Sequence, residues 1–206
     1  MSDTSERAEH WEATYRRLSS DEVSWHQREP SKSLELLDLL GIGSNRSLID
    51  VGGGASVLAD FLVARGFDDI TVLDISHRAL DVARERLPDA TVHWLVADLL
   101  TWKPQRQFDV WHDRAALHFL HGDERLTYRA LISRALAPDG VVILGTFALD
   151  GPQQCSGLDV EHYNAASLLE ILGNEFELVA ETAERHVTPS GAVQPFQWIA
   201  ARRKAS

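Results

Sequence analysis

In Leu48-Ile49-Asp50-Val51-Gly52-Gly53-Gly54-Ala55-Ser56 a short apolar run meets three consecutive glycines. The run, about residues 47 to 51, reads as a buried strand. The glycines remove every Cβ from the turn that follows, so its backbone can take positive φ and lie close against a ligand. A helix is expected over about 55 to 65, stopping at Gly66, with its free N–H groups aimed at the same place. Asp50 stands at the strand's end, directly before the turn.

Downstream the same beat repeats. Ile70-Thr71-Val72-Leu73 reads as a second strand ending at Asp74, and Ser76 as the cap of a helix running to about Leu87. Thr91 to Leu95 is a third strand, followed by Asp98, and Phe108 to His112 a fourth. A helix from about Asp123 to Ala137 ends at Pro138-Asp139-Gly140, and Val141 to Phe147 reads as a fifth strand, buried on both faces. After a polar loop (148 to 163) and a helix near 165 to 172, segments near 175 to 188 and 192 to 201 form a hairpin about Pro189-Ser190-Gly191. Alternating strands and helices imply an α/β fold, a doubly wound, mostly parallel sheet with helices on both faces.

Upstream, Trp11, Tyr15 and Leu18 recur at helical spacing over residues 6 to 18. The isolated patch Val23-Ser24-Trp25-His26 and a helix over about 31 to 40 follow. Residues 1–44 are therefore expected to form a helical lid or extension on one domain spanning 45–206. The chain has 206 residues, a net charge of −11 and one cysteine, Cys155. One cysteine excludes an intrachain disulfide and a zinc site with several thiolates. The acidic balance, without any Lys/Arg cluster, disfavours nucleic acid as a partner. Arg202-Arg203-Lys204 reads as a frayed basic tail. No apolar run approaches a membrane span and no leader-like segment opens the chain, so the cytoplasm is the expected compartment.

A strand, a glycine turn and an acid about 20 residues on are shared by several nucleotide cofactors. Three residues separate them. The dinucleotide fingerprint wants a small residue where Val57 stands. Asp50 would repel a pyrophosphate but attract the ammonium of a methionine moiety. Asp98 suits the adenine amino group, a donor that a carboxylate can accept.

On these residues the chain resembles the class I S-adenosylmethionine (SAM)-dependent methyltransferases, from residue 45 to the end. Asp50-Val51-Gly52-Gly53-Gly54 matches the first motif, Asp74 the ribose contact, and Asp98-Leu99 the adenine contact. Ser56 departs from the motif, which has a glycine there. The resemblance implies a Rossmann-like seven-stranded sheet whose last strand is antiparallel. It also implies SAM as cofactor and S-adenosylhomocysteine as product, bound by Asp50, Gly52, Gly53, Gly54, Ala55, Asp74, Ile75, Asp98, Leu99 and His112. Tyr15 and Trp25 would cover the cofactor or cage a cationic substrate.

Ligands of doubly wound sheets sit beyond the carboxyl ends of the strands. The fourth strand exits through His112-Asp113-Arg114, so these residues with His118 are the candidates for binding or deprotonating the acceptor, and His121 lies close in sequence. The plainer alternative keeps His112 as a satisfied strand residue and pairs Arg114 with an acid. His118 and His121 lack a supporting carboxylate at ligand spacing, and no metal is expected. Cys155 has no electropositive neighbour in sequence and reads as a packing residue. Methylation of a small nucleophile, a thiol or related chalcogen compound, is the first expectation for function. Protein lysine methylation is the alternative, with a catalytically idle SAM-binding protein or an NAD-dependent oxidoreductase behind it. Monomer and homodimer both stay open.

Overall fold

The computed structural model describes residues 4–205. Its centre is a seven-stranded sheet in the order β3-β2-β1-β4-β5-β9-β8. The strands are β1 Leu48–Val51, β2 Ile70–Asp74, β3 Val92–Val96, β4 Phe108–Arg114, β5 Leu136–Phe147, β8 Phe176–Val187 and β9 Val193–Arg203. The first five run parallel, and β9 is antiparallel to both β5 and β8. This is the expected Rossmann-like sheet with an antiparallel last strand. The loop after β5 contains a two-residue ladder, β6 Gln154–Cys155 with β7 Leu158–Asp159.

Two apolar layers sandwich the sheet. On one face Leu34 and Leu37 of α2 (Ser31–Leu39) and Leu58 and Leu62 of α3 (Leu58–Ala64) pack on Leu48, Val110 and Ile143. On the other, Tyr128, Leu131 and Ile132 of α5 (Glu124–Ala135) and Leu168 and Leu172 of α6 (Ala165–Leu172) pack on Ile49, Trp111 and Val142. Successive residues of β1, β4 and β5 therefore serve opposite layers, and all four residues of β1 are buried. α4 (His77–Arg86) starts at Ser76, whose hydroxyl accepts the Ala79 N–H. α1 (Thr4–Arg17) lies across the C-terminal ends of the strands.

Strand order reverses between β1 and β4. Their loops part in opposite directions and leave a crevice beyond their carboxyl ends.

Three sequence expectations are corrected here. The helix after the glycines begins at Leu58, not near 55, because Gly53 to Ser56 complete a turn closed by Ser56 N–H to Gly53 C=O. The turn itself borders the crevice, with the helix's first residue, Leu58, following it there. Pro138-Asp139-Gly140 does not separate helix from strand: β5 begins at Leu136, opposite Phe108, and the three residues are an irregularity within it, Asp139 at φ 57°. Nor are Arg202 and Arg203 a tail. They belong to β9, and Arg203 donates to the carbonyls of Leu136 and Ser133 while lying over the Phe176 ring.

Gly145 shows how tightly the β5–β9 seam is packed. A Cβ there would lie 2.6–2.7 Å from three carbons of the fully buried Trp198 ring. Gly145→Ala is expected to destabilise the protein by about 1–3 kcal/mol, the usual cost of overpacking, read as a lower urea midpoint at unchanged slope.

Candidate active site

The glycine turn is shaped by what surrounds it. Gly52 (φ 67°) and Gly54 (φ 45°) lie in the left-handed region. A Cβ on Gly52 would come within 2.8 Å of the Ala116 Cβ, and one on Gly53 within 2.5 Å of Asp50 Oδ2. Beneath the turn, Gly54 faces Asp74 Oδ2 and the Tyr15 hydroxyl. No side chain fits at these positions, so backbone forms the surface on which a ligand would rest.

Two cavities flank this surface. The larger encloses about 870 Å³, open solvent at its mouth included. Asp74, Ile75, Asp98, Leu99, Leu120 and Ala116 line it, with Trp11, Tyr15 and Phe119 above. The smaller is bounded by Asp50, Gly53, Ala55, Ser33 and His112. Gly52, Trp25 and Arg114 border both, so the two are halves of one cleft.

Burial raises Asp74 to about 7, with the charges of Asp50 and Glu12 adding to it, against hydrogen bonds from the Ser76 and Ile75 N–H groups. Asp98 differs. Burial raises it, but hydrogen bonds from Arg7, Thr4 and the Leu100 N–H, together with the Arg7 charge, leave it below the usual carboxylate range.

α1 roofs the larger half. Arg7 Nη2 lies 2.5 Å from Asp98 Oδ2, and its Nη1 reaches Glu124. Glu12 accepts from the Ser76 hydroxyl and the Arg78 N–H, and Arg78 donates to the Tyr15 carbonyl. Trp25 Nε1 donates to the Tyr15 hydroxyl, and Trp11 makes edge-to-face contacts with both Trp25 and Phe119.

The four residues expected at the acceptor are placed in different ways. His112 borders the smaller half, but both ring nitrogens are engaged, Nδ1 at 2.7 Å from Asp50 Oδ1 and Nε2 at 2.8 Å from Ser33 Oγ. Asp113 belongs to the opposite layer. Fully buried, it accepts from the Tyr128 hydroxyl and from the Ala116 and Leu117 N–H groups, and burial raises it to about 6 against those bonds. Strand alternation is the reason, since neighbours on β4 cannot both face the cleft. His118 is buried between Phe119 and Phe147 and does not line the cleft. Burial first, then the charges of Arg114 and His162, push it down to about 3, so it is neutral. Arg114 alone of the four borders both halves.

Cys155 also lines the larger half, with burial pushing its thiol up to about 11. His121 is exposed and pairs with Glu161. Among the described residues no cluster of three His, Cys, Asp or Glu could hold a metal ion, and no helix is long and apolar enough to cross a membrane.

Sequence reading missed Arg7, Ala116, Phe119 and Leu120. A signal for the first existed, because Arg7, Trp11 and Tyr15 recur at i, i+4 and i+8 on one face of α1. The other three follow β4 in a segment without periodicity.

The fold is of the doubly wound class, with its cleft at the point where the strand order reverses. Residues 48–140 match the family model of the methyltransferase domain. An uncharacterized methyltransferase of Mycobacterium bovis is 33% identical over 113 residues, 54% of this chain and 56% of that one. A trans-aconitate 2-methyltransferase of Paracidovorax citrulli is 33% identical over 114 residues, 53% of this chain and 42% of its own length. The chain thus spans about half the length of the curated relatives it matches. Among solved structures, the 1,6-didemethyltoxoflavin-N1-methyltransferase of Burkholderia thailandensis, with S-adenosylhomocysteine bound, superposes with a TM-score of 0.73. It is 21% identical, and the match covers 99% of this chain and 92% of that one. Over residues 48–140 the chain is thus similar to methyltransferase domains, and it shares its fold with solved SAM-dependent methyltransferases.

Asp74 gives the site a measurable pH signature. Its folded pKa lies above the ordinary 3.8, so the native state holds this proton more tightly than the unfolded chain. The associated stability is full below about pH 4 and is lost as pH rises through about 7. In Asp74→Asn the fall in unfolding free energy between pH 4 and pH 8 is expected to be smaller by roughly 2–4 kcal/mol, with Asp113 sustaining the remainder. Urea titrations of the ligand-free protein at the two pH values measure it.

Proposed function

We propose that the protein transfers a methyl group from SAM to a small-molecule acceptor. The observation that carries this is the two-part cleft, acidic at both ends and joined at Gly52, Trp25 and Arg114. The larger half suits an adenosine. Asp74 would take the ribose hydroxyls and Asp98 the adenine amino group, while Ile75, Leu99 and Leu120 cover the ring. In the smaller half Asp50 would face the ammonium of the methionine moiety, with backbone at Gly52 and Gly53 against its chain. SAM, when bound there, supplies an electrophilic methyl on a sulfonium.

The protein's own task is then to align the acceptor and exclude water. Of the expected extension over 1–44, the described residues 4–44 would serve as the lid, with Trp11, Tyr15 and Trp25 as its apolar underside. A general base is hard to assign, since His112 and Asp113 are committed to internal hydrogen bonds and His118 is turned away. An acceptor that ionises readily suits such a site. A thiol, with a reference pKa near 8.5, meets that condition better than a lysine amine near 10.4. Relatives named for trans-aconitate and for a toxoflavin precursor support a small organic acceptor.

Purified protein incubated with methyl-labelled SAM and a cell extract should place the label in the small-molecule fraction. Label confined to protein would mean a macromolecular acceptor instead. Asp74→Ala should weaken SAM binding by about 10-fold or more in calorimetry, equivalent to about 1.4 kcal/mol.

A further inference from the structure

Where the two halves of the cleft meet, Arg114 is bonded on one side only. Its Nη1 donates to the Trp25 carbonyl at 3.0 Å, and its Cζ lies 4.8 Å from the centre of the Phe196 ring. Its Nε and Nη2 are buried and have no hydrogen-bond partner among the described residues. These two nitrogens form one edge of the planar guanidinium, the edge that receives a carboxylate through two parallel N–H···O bonds. Buried donors are nearly always satisfied, so an entire free edge calls for a ligand.

The nearby acids are otherwise occupied. Glu184 accepts from Trp198 Nε1 and Gln27 Nε2, and Asp50 from His112. Both contribute to the field at Arg114, yet neither forms an ion pair with it. Burial lowers the guanidinium's pKa from its ordinary value, but Arg keeps its charge in proteins.

We propose that the free edge of Arg114 receives a carboxylate of the methyl acceptor, which is therefore a small organic acid. The proposal rests on the reading of the cleft as a SAM site. SAM has a carboxylate of its own, but Arg114 borders both halves and so stands where the methyl would be. Ser56, Val57 and Leu58, by contrast, line the smaller half alone. A fixed cation beside a sulfonium disfavours an ammonium acceptor and draws in an anion. An acceptor oxygen or sulfur that arrives ionised forms its bond to the methyl carbon as the carbon–sulfur bond breaks. That electron pair stays on sulfur, and no proton has to leave.

The test is calorimetry on the full chain loaded with S-adenosylhomocysteine, titrated with a panel of small mono- and dicarboxylic acids and with the corresponding amides. At least one acid should bind and its amide should not. Arg114→Gln should weaken that acid by about tenfold or more and Arg114→Lys should recover part of the loss, with S-adenosylhomocysteine affinity changed less than about threefold in both. A large loss of S-adenosylhomocysteine affinity in Arg114→Gln, with retained affinity for 5′-methylthioadenosine, which has no carboxylate, would assign the edge to the cofactor and overturn the proposal. Acids and amides binding alike, or no acid binding to the loaded protein, would overturn it too. Should Arg114→Gln fail to fold, Arg114→Lys must still weaken the acid more than the cofactor product. Failure of both SAM and S-adenosylhomocysteine to bind the wild-type chain is seen before any acid is added, and it sinks the SAM reading rather than the role of Arg114.

Discussion

The carboxylate of Asp113 holds the centre of this protein together. It lies at the exit of β4 with no exposed surface and receives the Tyr128 hydroxyl, itself hydrogen-bonded to Trp111, and two backbone N–H groups of the following turn. That turn needs the help, because Ala115 sits at φ 76°, a conformation that costs a residue with a side chain about 1–3 kcal/mol. With the turn pinned, Ala116 comes up against Gly52 and Arg114 faces the cleft. The shape of the site thus depends on a residue on the other side of the sheet.

Asp50 and His112 play the corresponding part on the near face. They are register partners on β1 and β4, and their side-chain bond ties the two strands together where the sheet divides. Ser33 extends the link to α2. Polar groups buried at the switch point are thereby satisfied by one another, which keeps the crevice's floor rigid without filling it.

Much of the fold could be read from the chain because it rests on local signals. Apolar runs of strand length, Ser76 as a cap and Gly66 as a stop all act within a few residues. The errors arose where distant contacts decide. Leu136 joins β5 because Phe108 lies opposite, and Arg203 is ordered by carbonyls some seventy positions back in the chain. Within the site, the acids with Gly52 and Gly53 stand along the cleft because strand ends bring them there. The His112-Asp113-Arg114 run looked like one cluster in sequence, but the pleat splits it between two layers. His118 is set by its packing against Phe147, a partner on a different strand. The contact of His118 leaves no mark in residue spacing.

The contacts of α1 carry a consequence for how the cleft exchanges its contents. Several of those that hold the helix across the strand ends are polar: Arg7 to Asp98 and Glu124, Glu12 to the start of α4, Arg78 to the Tyr15 carbonyl. Arg7 and Asp98 are in direct contact and largely shielded from water, so dissolved salt screens them little, and the helix's hold over the cleft depends little on ionic strength.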